Sequence, residues 1–192
     1  MITIGILSLQ GDYAAHAHYL NQLNVKHRYV SRPADLDNIN GLIIPGGESS
    51  VLLRLLTEHN LFQAIQNFNR PILGTCAGAI LLAQNVLSPQ QPSLQRIAIT
   101  IERNAYGRQI ASGIGQGRWL LTDTSIEMLF IRAPKICDID LNKVRILAKY
   151  QDQPVAVQQD NCIALTFHPE LTKDNCIHEH WLKLIDEQAQ KN

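Results

Sequence analysis

An excess of either charge is what this sequence most plainly lacks. Seventeen lysines and arginines face seventeen aspartates and glutamates, for a formal net charge of zero. A balanced chain gives no reason to expect a nucleic acid or an anionic membrane surface as partner. Long apolar runs are also missing, and none approaches the roughly 20 residues that span a bilayer. The start, Met1-Ile2-Thr3-Ile4-Gly5, has no basic stretch of the kind that opens a signal peptide. Cysteines are few, at 76, 137, 162 and 176, with no CxxC spacing and no evident pairing. Disulfide and metal readings are therefore both weak, and a reducing cytoplasm suits the chain best. Repeats, low-complexity tracts and linkers are absent as well, so residues 1–192 read as one domain.

What is present is an ordinary globular mixture, 45% hydrophobic and 18% charged, long enough for a sizeable core. The first half alternates. Apolar runs at 2–9, 41–44 and 71–74 read as strands, His27 to Ser31 can form another, and residues 13–23, 50–68 and the stretch after Cys76 read as helices. That order predicts a parallel sheet covered on both faces. After the loop 88–93 the texture changes to short strand-like pieces at 97–102, 118–122, 129–132, 144–149, 154–158 and 162–167. Gly113, Gly115 and Gly117 fall in an expected hairpin or flexible loop. A closing helix over 173–189 turns Ile177, Trp181, Leu184 and Ile185 inward.

Gly74-Thr75-Cys76-Ala77-Gly78 stands between an apolar strand and an apolar helix. Glycines two residues either side of a nucleophile permit a strained strand-to-helix turn. That turn lifts the side chain clear of the sheet, at a helix N-terminus whose potential favours an anionic sulfur. A lone cysteine among apolar residues is usually a small core residue. That reading is kept for Cys137, Cys162 and Cys176, and the flanking glycines reverse it for Cys76. The matching base is His168, which follows the strand 162–167 and is separated from Glu170 only by Pro169. Cys76, His168 and Glu170 then have the roles of nucleophile, general base and acid, and orienting carboxylate. Pro45-Gly46-Gly47-Glu48-Ser49 follows the strand 41–44, and its backbone N–H groups suit a developing oxyanion. The other histidines (16, 18, 27, 59, 178 and 180) read as solvated residues. The pairs 16/18 and 178/180 point apart on a helix, which argues against a metal site. Arg103 and Arg132 would ordinarily be surface charge. Ala133-Pro134 marks a strand end beside Arg132, and an arginine there can hold a substrate carboxylate.

Taken together these segments resemble the class I, triad-type glutamine amidotransferases, and within them the glutaminase subunit of pyridoxal 5′-phosphate synthase. The resemblance is carried by Ile4 to Gly11 (IGILSLQG), Gly41 to Ser49 (GLIIPGGES), GTCAG at 74–78, Glu102 to Gln109 (ERNAYGRQ), Phe130 to Pro134 (FIRAP) and Phe167 to Thr172 (FHPELT). It spans nearly the whole chain. Thr166 and Ser50-Val51 depart mildly from the family pattern, and the 84–96 stretch is less family-like.

The resemblance implies an α/β fold of three layers. A mostly parallel, flavodoxin-like open sheet would have helices on both faces and a small antiparallel or mixed strand region. It implies hydrolysis of L-glutamine to L-glutamate and ammonia through a γ-glutamyl thioester. The ammonia would pass to a separate, PdxS-type synthase subunit in a hetero-oligomer. Cys76, His168 and Glu170 would be the triad. Gly47, Glu48, Ser49, Arg103, Ile131 and Arg132 would bind glutamine, the backbone at Gly47 and Ala77 would form the oxyanion site, and Gln10 and Gly11 would lie at the docking surface. No metal or organic cofactor is expected. Two alternatives keep parts of this picture: a free-standing γ-glutamyl hydrolase, and an inactive regulatory binding subunit. A stress protein with a reactive cysteine fits less well, because His168-Pro169-Glu170 suits an ordered triad.

Overall fold

The computed structural model describes residues 2–105 and 112–190. Strand β1 (Thr3–Leu7) leads into helix α1 (Tyr13–Gln22), strand β2 (Lys26–Val30), a 3₁₀ turn at Pro33–Leu36 and strand β3 (Gly41–Ile44). The single helix expected over 50–68 is two, α2 (Ser49–Glu58) and α3 (Leu61–Gln66). Asn60 separates them at φ 58°. Asparagine tolerates that left-handed conformation, and a residue in it stops a helix. Strand β4 (Ile72–Thr75) and helix α4 (Ala77–Leu82) flank Cys76.

The second half is mainly strand: β5 (Ala83–Leu87), β6 (Ile97–Glu102), β7 (Gly113–Trp119), β8 (Thr124–Phe130), β9 (Lys135–Ile139), β10 (Arg145–Tyr150), β11 (Gln153–Gln159) and β12 (Cys162–Leu165). A 3₁₀ turn at Pro169–Leu171 and helix α5 (Cys176–Ala189) follow. Strands β5 and β9 have no counterpart in the sequence reading. Their exposed polar residues, such as Gln84, Asn85 and Asp138, dilute the apolar signal. Gly115 and Gly117 lie inside β7, where a Cβ would collide with Tyr150 and Met128. Their glycines make room for neighbouring side chains and do not mark a flexible loop.

Among the described residues the large sheet runs β2-β1-β3-β4-β12-β11-β10-β7-β8, and a small one runs β5-β6-β9. From β2 to β12 every pairing is parallel. From β12 to β8 every pairing is antiparallel. The parallel part is buried on both faces, which explains its unbroken apolar runs. Leu42, Ile44, Ile72 and Ala164 face α2, α3, α4 and the small sheet. Ile4, Ile6, Ile43, Leu73, Ile163 and Leu165 face α1 and α5, where Ile177, Trp181 and Ile185 are buried as expected and Leu184 only partly so. No described helix is long and apolar enough to cross a membrane.

The carboxyl ends of β1, β3, β4 and β12 converge, and such crevices are where open α/β sheets bind ligands.

Candidate active site

Cys76 stands between β4 and α4 at φ 48° and ψ −100°. Positive φ is strained for a residue with a Cβ, and it persists only where neighbours enforce it. Here the Cys76 N–H donates to the Leu165 carbonyl at 2.8 Å, and the Cys76 carbonyl accepts from the Ile80 N–H at 3.2 Å. The flanking glycines have the purpose their spacing suggests. A Cβ on Gly78 would run into the Ile44 carbonyl, and one on Gly74 would meet Gly78's own carbonyl carbon at 2.7 Å. Cys76 is 7% exposed. Its Sγ lies 3.8 Å from the Ile131 carbonyl oxygen.

His168 arrives from β12 and is fixed by its N–H, which donates to the Leu129 carbonyl at 2.8 Å. Pro169 begins the 3₁₀ turn that brings Glu170 back beneath the ring. His168 Nδ1 is 2.7 Å from Glu170 Oε1, and both residues are buried. Gly46 fills the remaining space, because a Cβ there would strike the His168 ring and lie 3.3 Å from the Cys76 Cβ. His168 Nε2 is buried and has no hydrogen-bond partner among the described residues. Burial opposes the imidazolium, but the neighbouring Cys76 sulfur and the Glu170 carboxylate outweigh it and push His168 up to about 10. Burial alone would raise the Glu170 carboxyl. His16 and His168 facing it more than offset that, and hold it below the usual carboxylate range.

His16 is a correction to the sequence reading. It is fully buried, with Nε2 3.2 Å from Thr75 Oγ1 and 3.4 Å from Glu170 Oε1. The signal that could have found it is periodicity: His16 and Leu20 share one helix face, and Leu20 is an apolar residue that such a face turns inward. His178 is likewise fully buried, on the face of α5 that carries Trp181 and Ile185. His180 is half-buried, with Nε2 2.8 Å from Gln158 Oε1. Cys137, expected in the core, is exposed.

In front of Cys76 and His168 opens a cleft of about 570 Å³. Its walls include Gln10, Gly11, Gly47, Glu48, Ser49, Arg103, Ile131 and Arg132. The predicted Ala77 is fully buried as the first residue of α4, and Glu170 sits behind His168, so neither lines the cleft. Gly47 adopts φ 152° and Gly11 φ 92°. The Asp12 N–H donates to the Gly46 carbonyl at 3.0 Å, and Gln10 Oε1 accepts from the Glu48 N–H at 3.1 Å. The Gln10-Gly11 segment thus grips the turn that carries Gly47. Arg103 Nη2 is 3.4 Å from Glu48 Oε1. The Ser50 hydroxyl donates to Glu48 at 2.8 Å. That bond outweighs burial, and with Arg103 and Arg132 nearby it holds the Glu48 carboxyl below the ordinary range. Ser49 is buried and its hydroxyl donates to Gln91. Arg132 is exposed at φ 45°, its N–H donating to Ser112 Oγ at 3.0 Å. Tyr106 to Gln109 of the expected motif lie outside the described residues.

Asp12, His168 and Glu170 present ligand atoms within 4.8 Å of one another. Two of them are already hydrogen-bonded to each other, so the group is a buried histidine–carboxylate pair beside an exposed carboxylate and not a ready cage. A smaller cavity of about 210 Å³ beside Phe130, Tyr150 and Thr166 has no cysteine, histidine or carboxylate in its wall.

The model of the SNO glutamine amidotransferase family matches residues 6–187. Pyridoxal 5′-phosphate synthase subunit PdxT of Thermosipho africanus is 42% identical over 185 residues, covering 95% of this chain and 98% of its own. The PdxT subunit of Koribacter versatilis is 45% identical over 184 residues, 95% of each chain. A crystal structure of a glutamine amidotransferase superposes with a TM-score of 0.88 at 35% identity, covering 95% of this chain and 98% of that one. A putative GMP synthase component from Thermoplasma acidophilum, 19% identical, shares the fold with a TM-score of 0.75 over 100% and 98% of the two chains.

Proposed function

The chain belongs to the SNO glutamine amidotransferase family, and from that premise we propose that Cys76, His168 and Glu170 hydrolyse L-glutamine to L-glutamate and ammonia. The observation that supports this reading most directly is His168, bonded to Glu170 at 2.7 Å and beside Cys76 in a cleft walled by both carboxylate and guanidinium groups. Glu48 suits the α-ammonium group of an amino acid, and Arg103 and Arg132 suit its α-carboxylate. The side-chain amide then reaches Cys76.

The Cys76 thiol yields its proton to His168 as its sulfur attacks the amide carbon and forms a tetrahedral oxyanion, which the backbone N–H groups of Gly47 and Ala77 receive. His168 gives its proton to the departing nitrogen, and ammonia leaves behind a γ-glutamyl thioester. Water, losing a proton to His168, attacks the thioester, and glutamate departs as the thiol is restored. Glu170 orients the imidazole and stabilises its cation throughout. The whole chain acts as one glutaminase domain, in a reducing compartment such as the cytoplasm that keeps its free cysteines reduced.

The relatives are named as subunits of pyridoxal 5′-phosphate synthase. By that likeness the ammonia passes to a PdxS-type synthase subunit. Gln10 and Gly11 lie at the docking surface, where contact with the partner would act on the Gly47 turn they hold.

The test is glutamate release from glutamine by wild type and Cys76→Ala, each with and without a cognate synthase subunit. Release by wild type should rise on adding the subunit. Cys76→Ala should fall by about 10⁴-fold or more, with its melting temperature unchanged. Turnover retained in that variant sinks the assignment. Strong wild-type activity indifferent to the subunit would instead identify a free-standing γ-glutamyl hydrolase.

A further inference from the structure

His16 is a fully buried imidazole to which the proposed reaction gives no part. Its Nε2 faces two oxygens, Thr75 Oγ1 at 3.2 Å and Glu170 Oε1 at 3.4 Å. Thr75 is the residue before the nucleophile. Glu170 Oε1 is the same oxygen that lies 2.7 Å from His168 Nδ1. His16 Nδ1 and Glu170 Oε2 are buried without partners among the described residues.

These contacts choose a tautomer. A proton on Nδ1 would be a buried donor without an acceptor, at a cost of about 1–3 kcal/mol. It would also set the Nε2 lone pair against the lone pairs of a carboxylate. A proton on Nε2 is accepted by Thr75 Oγ1, lies on the ring edge that faces Glu170 Oε1, and leaves only a lone pair unmatched. A second proton is disfavoured by burial, which lowers His16, with Glu170 and Asp12 opposing and His168 adding to the effect. The remaining ring nearby is that of His178, 6.5 Å away between centroids. His16 is therefore a neutral donor to Thr75, and Glu170 Oε1 has the His16 N–H edge on one side and His168 Nδ1 on the other.

We propose that His16 is a positioning residue, whose Nε2–H, bonded to Thr75 Oγ1 and 3.4 Å from Glu170 Oε1, presents a positive dipole edge that keeps the carboxylate against His168 Nδ1, so that the His168 ring stays directed at Cys76. This rests on the glutaminase reading for its catalytic meaning, but its geometry can be tested without turnover. In protein carrying ¹⁵N-labelled histidine, ring resonances are assigned with His16→Gln and His168→Ala. Wild-type His16 should show the neutral Nε2–H form. Observation of the Nδ1–H form overturns the proposal. In His16→Leu the titration midpoint of His168 should fall by about 1 pH unit or more as its carboxylate partner loosens, whereas His16→Gln, which keeps a donor, should stay near wild type. An unchanged midpoint in His16→Leu overturns the proposal equally. If His16→Leu does not fold, the wild-type tautomer and the His16→Gln titration decide the matter.

With the synthase subunit present, His16→Leu should lose about 10- to 100-fold in kcat at unchanged KM for glutamine, the range typical when a group orienting a reactive histidine is removed. His16→Gln should recover most of it. A merely structural His16 would lower the melting temperature and leave kcat per folded molecule and the His168 titration as they were. Wild type that shows the expected tautomer and titration yet releases no glutamate would break the glutaminase reading and leave the positioning contact standing.

Discussion

The two halves of the large sheet serve the cleft in different ways. The parallel half delivers Gly46 to Ser49, Cys76 and His168 from the ends of β3, β4 and β12, strands buried on both faces. The antiparallel half and the small sheet deliver Ile131, Arg132 and Arg103 from the ends of β8 and β6. Their burial differs accordingly: His168 is 4% exposed and Ile131 40%. Bond-making groups must be held to a fraction of an ångström, whereas groups that grip a charged substrate tolerate adjustment. On the proposed reading the two kinds fall where the packing matches that demand, Glu48 being the exception, an exposed gripping group carried at the end of β3. Substitutions in the first half, Glu48 apart, should cost fold and chemistry together, and those in the second should cost affinity alone.

The largest expected effect is that of Gly78→Ala. One methyl group would meet the Ile44 carbonyl, which belongs to a central strand and cannot move aside cheaply. The elbow must open or β3 must shift, at roughly 3 kcal/mol or more, a severe overpacking penalty. Urea unfolding and glutamate release should fall together. A stable, active Gly78→Ala protein would show that the elbow is softer than its contacts imply.

His178 tests whether the rigid half is uniformly well made. It packs on Tyr19, ring centroids 4.2 Å apart, and neither ring nitrogen has a partner among the described residues. Burial, with His16 adding and Glu170 opposing, pushes it down to about 3. Between pH 6.5 and 3 the unfolded chain accepts a proton that the folded chain refuses. Stability must therefore fall as pH falls, with a slope approaching 1.4 kcal/mol per pH unit at about one proton. Glu170, held low, contributes stability above about pH 4.5 and loses it only as the pH falls further. The window from 6.5 to 4.5 thus separates the two. In His178→Phe the slope in that window should flatten, with His16 and the half-buried His180, both lowered by burial, supplying what remains, and stability at neutral pH should hold or rise by about 1 kcal/mol. Chemical unfolding at several pH values reads this directly, and an unaltered slope would mean that His178 takes up no proton in the acid transition.

What the sequence disclosed follows the same division. β3 was legible to the residue because both its faces are buried and its apolar run is unbroken. Cys76, His168 and Glu170 were legible because glycine and proline mark their turns locally. Strands β5 and β9 were not, since exposed polar residues such as Gln84, Asn85 and Asp138 interrupt both the apolar run and any clean alternation. The break at Asn60 left no mark because the leucine pattern runs across it. His16 was passed over for another reason: its polar neighbours suggested a surface, and its partner Glu170 enters from the far end of the chain, with no local signature.

Arg132→Ala probes the looser half. Arg132 is exposed and its side chain forms no described ion pair, so the melting temperature should be unchanged. A charged contact to a carboxylate contributes about 1.5–3 kcal/mol, so KM for glutamine should rise roughly 10- to 100-fold with kcat within a few-fold. A loss confined to kcat would place Arg132 in the chemistry and blur the division between the halves.

The smallest expected effect is also the cleanest counterpart to Gly78. Gly113 begins β7, and a Cβ built there meets nothing within 4 Å. Its φ is outside the left-handed range in which a side chain would strain it, unlike that of Gly11 or Gly47. Gly113→Ala therefore adds no clash and removes freedom from the unfolded chain, for a change between zero and about 1 kcal/mol in favour of folding. The same methyl group that breaks the fold at residue 78 should pass unnoticed or help at residue 113. Thermal melts of the two variants side by side decide it. A destabilised Gly113→Ala would mean that the antiparallel half is packed as strictly as the parallel one, and that its looser hold on substrate has some other cause.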